Sequence, residues 1–226
     1  MKILDLKKRY DDKIIFDGLN LDIEEEKITV ILGQSGCGKT TLLNIICGFI
    51  NDYTGEIKFE SDIVDGMPYI FQEDALIPWK TVYKNIDYVL KNKIKEKDKR
   101  EFIIEKYLKM VKLSSSKDSY PNSLSGGMKR RVGIARAFAF PSKYLLMDEP
   151  FEFLDVKTKY DIIHDFKEMQ SVDKKTVILI THDIELAVAL GDNITILGSN
   201  PTDVVKEIRN SKENNFIKEE IEKIFL

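Results

Sequence analysis

At 226 residues, 43% of them hydrophobic and 32% charged, the chain is long enough to bury the core of one large α/β domain, or of a core domain with an inserted sub-domain, and to fold on its own. A formal net charge of −3 and a pI near 5.6 argue against a general nucleic-acid-binding surface. Cys37 and Cys47 are too few for a disulfide framework or a metal cluster and fit a reducing, cytosolic setting.

The opening MKILDLKKRYDDK lacks the apolar segment of a secretory signal, and no apolar run approaches the roughly 20 residues that span a bilayer. Any membrane role therefore calls for a partner chain. Further along, KITVILG (27–33), YLLMDE (144–149), TVILIT (176–181) and NITILG (193–198) are short and apolar on both faces, as buried parallel strands are. KTTLLNIICGF and VKTKYDIIHDFKEMQ lie between them with helical period, His164 being a structural residue in mid-helix. That order predicts an α/β core around a mostly parallel sheet.

Residues 73–141 interrupt the alternation. VYKNIDYVL sets Val82, Ile86 and Val89 at helical spacing and EFIIEKYLKMV is a second amphipathic stretch, which predicts a helical insertion. The charge run KNKIKEKDKRE between them reads as a solvated loop or helix end. The tail from Ser199 to Leu226 reads as a strand remnant and a terminal helix.

GQSGCGKT, Gly33 to Thr40, follows an apolar strand and opens a helical pattern, the context that makes a P-loop match specific. Its glycines let successive N–H groups converge on the β- and γ-phosphates of a nucleotide at a positive helix terminus. The predicted cradle runs Gly33, Gln34, Ser35, Gly36, Cys37, Gly38, Lys39, Thr40 and Thr41, with Lys39 as point charge and the Thr40 hydroxyl directed to Mg2+. Cys37 reads either as a small spacer or as a reactive thiol.

YLLMDEP ends a buried strand with two carboxylates, which is costly unless each has a task. Asp148 is expected in the Mg2+ shell and Glu149 as the general base for the attacking water, against the plainer reading of a helix cap. His182, at the end of VILIT, is expected to contact the γ-phosphate. Gln72, where a strand meets the insertion, suits a residue that senses Mg2+ or water, and a buried turn amide is the alternative.

In LSGGMKRRVGIARA, Met128, Val132, Ala135 and Ala139 fall on one helical face, and Ser125, Gly126 and Gly127 form its first turn. Lys129, Arg130 and Arg131 crowd a terminus where cations oppose the helix dipole, so a bound anion there would remove the conflict. One chain has one P-loop, and the phosphate for this second site is expected from a second copy packed head to tail.

With these motifs in this order the chain resembles the ATP-binding cassette (ABC) ATPases over nearly its whole length. The resemblance implies a P-loop NTPase, RecA-like core with a small antiparallel β sub-domain and an inserted α-helical sub-domain. It implies one domain over 1–226, with 1–72 and 142–226 as core and 73–141 as the helical part. It also implies ATP and Mg2+ as ligands, a homodimeric ATP sandwich, Asp155 near nucleotide, and Tyr10, 29 residues before Lys39, as an adenine-stacking aromatic or a packing residue.

FQEDALIPWKTVYKNI is similar to the importer ATPases for nitrate, sulfonate, taurine and thiamine precursors. This implies a permease docking near Leu76, Ile77 and Trp79, a solute-binding protein acting indirectly, no nucleic-acid partner, and a place on the cytoplasmic face of the membrane. An exporter or a non-transport cassette is the alternative. Glu26-Lys27, Glu152-Phe153 and Arg130 depart from the group's habit. The 33-residue step from Lys39 to Gln72 is short for the family.

Overall fold

The computed structural model describes residues 1–60, 66–198, 201–210 and 216–225. In chain order the elements are β1 (Lys2–Tyr10), β2 (Lys13–Asp22), β3 (Ile28–Gly33), α1 (Lys39–Ile46), β4 (Thr54–Lys58), β5 (Tyr69–Ile70), α2 (Val82–Leu90) and α3 (Lys97–Met110). There follow α4 (Gly126–Ala139), β6 (Tyr144–Asp148), α5 (Val156–Asp173), β7 (Thr176–Thr181), α6 (Ile184–Leu190), β8 (Asn193–Leu197), β9 (Val204–Arg209) and α7 (Ile217–Phe225). The chain divides into two compact units, Met1–Met67 with Leu146–Glu149 and Lys175–Leu226, and Pro68–Leu145 with Pro150–Lys174.

In the first unit the strands follow the order β6-β7-β3-β8-β9, and β3 runs parallel to both β7 and β8. Every residue of β3 and of β7 is buried, so their unbroken apolar runs are explained by cover on both faces. β9 joins β8 antiparallel. It is the strand predicted for the tail and α7 is the helix; Ser199, Asn200, residues 211–215 and Leu226 lie outside the described residues.

A smaller antiparallel sheet, β2-β1-β4, completes this unit. The departure at Glu26-Lys27 has a local solution. Glu26 takes φ +58, a conformation glycine adopts without strain, and its N–H donates to the Thr176 hydroxyl at 2.9 Å.

The second unit is built from α2 to α5. Phe138 packs edge-on to Phe166 at 5.6 Å between centroids, and Phe151 packs on the same ring at 6.2 Å. In α2 the buried face is Val82, Ile86 and Leu90, with Val89 only half-buried. The first of these steps is i, i+4, and the helix stays in register as far as Leu90. Beside that face Asn85 is 0% exposed.

Asp165 carries the main electrostatic knot of this unit. Its side chain is 1% exposed and accepts from Lys112 at 2.9 Å and from Arg131. Without Asp165 the largely covered Arg131 guanidinium would keep only the Val111 carbonyl as its partner, which is costly for a desolvated charge. Asp165→Ala should therefore cost about 3 kcal/mol of stability in urea unfolding, whereas Lys112→Met, at a side chain 65% exposed, should cost less than about 1 kcal/mol.

Candidate functional site

The phosphate loop arises where β3 stops. Gly38 has φ +103 and caps α1 without any side-chain bond, and no acidic residue stands in the helix's first turn. A left-handed position at a helix start is open to glycine and costly to other residues, and the uncapped terminus leaves N–H groups for an anion. Lys39, 7% exposed, folds its ammonium onto the loop, donating to the carbonyls of Gly33 at 2.7 Å and Gln34 at 3.1 Å. Its charge thus lies against the carbonyls at the start of the loop.

Cys37 is buried under the loop. Its carbonyl accepts from the Thr202 hydroxyl, and a Cβ on Gly33 would lie 2.6 Å from its sulfur. This supports the spacer reading, since a reactive thiol needs access. Gln34, Ser35, Gly36 and Thr40 are exposed, and Thr41 is half-buried.

The acidic pair lies at the end of β6. Asp148, 8% exposed, comes to 3.5 Å from the Thr40 hydroxyl. The next residue turns sharply: Glu149 has φ +44, and its N–H donates to the Ile180 carbonyl at 3.1 Å. Its carboxylate accepts from the Thr181 hydroxyl at 2.7 Å and meets Nδ1 of His182 at 2.9 Å. Strain in a non-glycine residue held by its surroundings in this way is a mark of functional sites. Thr181 was invisible to motif reading, being one more β-branched residue of a strand.

Thr40 and Asp148 offer hard oxygen donors, the set that suits Mg2+. Among the described residues no group of three or more His, Cys, Asp and Glu is placed to hold a metal by itself. The pair fits a cation that brings phosphate oxygens with it.

Tyr10 closes β1 with its ring 43% exposed. Lys8, two residues earlier and on the same face, holds its ammonium 4.2 Å from that ring's centroid and pairs with Asp52 at 2.7 Å. The sequence gives no sign of this cation–π contact.

In the second unit Gln72 is exposed rather than a buried turn amide, and its Nε2 donates to Glu152 Oε2 at 2.6 Å. Ser125 caps α4, its hydroxyl accepting from the Met128 N–H at 3.3 Å. Gly126 has open space at its missing Cβ, whereas a Cβ on Gly127 would lie 2.4 Å from Thr158 Cγ2. Asp155 caps α5 through the Thr158 N–H at 3.0 Å, and the Thr158 side chain and N–H hold its carboxyl below the usual carboxylate range.

The expectation that Lys129, Arg130 and Arg131 jointly await an anion needs correction. Arg131 is committed to Asp165. Arg130, 5% exposed, donates to the carbonyls of Phe71 and Gln72, and burial pulls its pKa down while Asp74 opposes that. Internal acceptors therefore resolve much of the clash with the helix dipole. Trp79 stands 76% exposed.

A family model described as ABC transporter matches residues 16–152, more than half of the chain. The chain belongs to the ABC transporter family. It is an ATP-binding subunit of that family and an ATPase. It is 37% identical to an aliphatic sulfonates import ATP-binding protein of Bacillus thuringiensis, covering 87% of this chain and 79% of the relative. It is also 37% identical to an Fe(3+) ions import ATP-binding protein of Fusobacterium nucleatum, but covers 55% of that longer chain. A dimeric ATP-binding cassette solved in a post-hydrolysis state with ADP and Pi superposes with a TM-score of 0.77 at 31% identity, covering 92% of this chain and 97% of that one.

The close approach at Gly127 is directly testable within this ABC ATPase. Gly127→Ala should lose about 1–2 kcal/mol after alanine's better helix propensity is allowed for, and Thr158→Ser, which removes the clashing methyl and keeps the hydroxyl, should restore most of it in thermal or urea unfolding.

Proposed function

We propose that this ABC ATPase powers the uptake of a small solute through a separate permease, with a solute-binding protein delivering the cargo. The observation that carries this reading is the presentation of Trp79. Asn85, wholly buried, accepts from the Ile77 N–H at 2.8 Å and donates to the carbonyls of Ile77, Lys80 and Thr81. The loop is thereby rigid while its tryptophan faces solvent and Leu76 and Ile77 are half-buried. A large apolar ring on a pre-organised loop is the usual anchor of a protein interface. The relatives named for sulfonate and Fe(3+) import support the direction of transport.

No helix among the described residues is long and apolar enough to cross a membrane, so attachment at the cytoplasmic face would come through the permease. No nucleic-acid partner is proposed. Two copies would close head to tail, each presenting Ser125, Gly126 and Gly127 to the nucleotide on its partner, with Asp155 holding the adjoining turn. The dimeric cassette of similar fold supports that arrangement.

In the proposed chemistry the loop N–H groups from Gly33 to Thr41 and the Lys39 ammonium hold the phosphates, and Tyr10 stacks on adenine. Thr40, Asp148 and Gln72 would hold Mg2+, which supplies charge neutralisation on the phosphate oxygens. Glu149 accepts the proton of the attacking water. Each of its oxygens already has one partner, Thr181 or His182, which fixes the carboxylate plane and leaves lone pairs for the water. His182 holds the water and the γ-phosphate in place.

Glu149→Gln keeps the shape of that arrangement and removes the base, so it should bind ATP and dimerise with turnover lowered by roughly two orders of magnitude or more; a mutant that hydrolyses ATP at the wild-type rate would overturn the base assignment. Trp79→Ala should leave the ATPase of the isolated subunit unchanged and abolish co-purification of a polytopic membrane protein from detergent-solubilised membranes. Retention of that protein by the mutant would overturn the docking site.

A further inference from the structure

We propose that Glu152 is a positioning residue, one that decides which end of the Gln72 carboxamide is offered to a cation or water; the inference rests on the ATP-site reading above. The Gln72 amide nitrogen donates to Glu152 Oε2 at 2.6 Å. A carboxamide has a donor end and an acceptor end, whereas a carboxylate only accepts. The bond therefore selects one of the two flips of the amide and turns Oε1 away from Glu152, where it can serve as a ligand. In the other flip Oε1 would point at the Glu152 carboxylate, one acceptor against another.

Both ends of this bond stand on fixed backbone. Beneath Gln72, Arg130 donates to the Phe71 carbonyl at 2.7 Å and to the Gln72 carbonyl, and Arg136 donates to the Ala75 carbonyl at 2.8 Å. With the main chain pinned, the freedom left to Gln72 is in its side chain. On the other side Phe151, 2% exposed, is locked against Phe166, and Asp155 caps α5. Phe153 between them is held at φ +61. Glu152 thus extends from a short stretch anchored at both ends, and its reach to Gln72 follows from side-chain length: serine or alanine there would not span the gap.

The test uses the purified full chain with Glu152→Gln, Glu152→Ala, Gln72→Ala and the double variant Gln72→Ala/Glu152→Ala. Protein-bound Mn2+ is followed by electron paramagnetic resonance at saturating non-hydrolysable ATP analogue, and nucleotide binding is measured separately in EDTA. The Mn2+ concentration at half-saturation should rise roughly three- to tenfold in both Glu152 variants, with nucleotide binding in EDTA unchanged. Gln72→Ala should show at least the same rise, and adding Glu152→Ala to it should bring no more.

In steady-state ATPase assays the Glu152 variants should lose kcat at an unchanged KM for ATP. An unmoved Mn2+ titration in Glu152→Gln, or additive effects in the double variant, would overturn the positioning role. A wild-type chain that failed to bind nucleotide with Mg2+ present would overturn the ATP-site reading and this inference with it, whereas normal nucleotide binding with an unmoved Mn2+ titration would overturn this inference alone.

Discussion

Backbone pairing of β3 with its parallel neighbours sets the positions on which the nucleotide site depends. Leu32 lies opposite Thr181 of β7, and Gly33 lies opposite Leu197 of β8. Because these strands are buried on both faces, a slip of one residue would exchange every side chain between two filled layers. The register therefore holds the start of the phosphate loop level with the end of β7. Thr181 reaches the Glu149 carboxylate from there, and His182 follows it. Ligand sites just beyond the carboxyl ends of parallel strands are the general outcome of this geometry.

Glu149 shows how that edge is kept in order. Its φ of +44 is unfavourable for a side chain with a Cβ, yet the carbonyl of Ile180 holds its N–H and two side chains hold its carboxylate. Local preference loses to the neighbouring strand. Glu26 and Phe153 repeat the pattern at φ +58 and +61, and for Glu26 the compensating bond to Thr176 is plain.

The helical unit rests on buried polar groups that are satisfied internally. Asp165 takes Lys112 and Arg131, Arg130 takes main-chain carbonyls, and Asn85 ties down the Ile77–Thr81 loop. For Asp165 and Arg130 these partners offset a desolvation cost of several kcal/mol per charge, by order of magnitude, and all three groups fix segments that local propensity leaves free. The result is a rigid frame from which exposed groups, Trp79 and Ser125 among them, project.

Patterns that depend on near neighbours in the chain were legible before any coordinates. The runs at 27–33, 144–149, 176–181 and 193–198 are strands because unbroken β-branched apolar stretches bury both faces, and the helical insertion follows from spacing in α2 to α4. The phosphate loop was legible for the same reason, since it is a contiguous strand, turn and helix start. Contacts between distant residues were not. Nothing local marks Thr181 as the partner of Glu149 or Glu152 as the partner of Gln72. The charges of Arg130 and Arg131 looked available because their acceptors lie 58 or 59 residues upstream and 34 residues downstream. By itself the sequence determined the buried core strands, the inserted helices, their order and the chemical types at the site, because those are set by short-range sterics and burial pattern. The tertiary structure alone decided which polar groups meet, because a hydrogen bond depends on ångström-scale geometry that only the packed chain supplies.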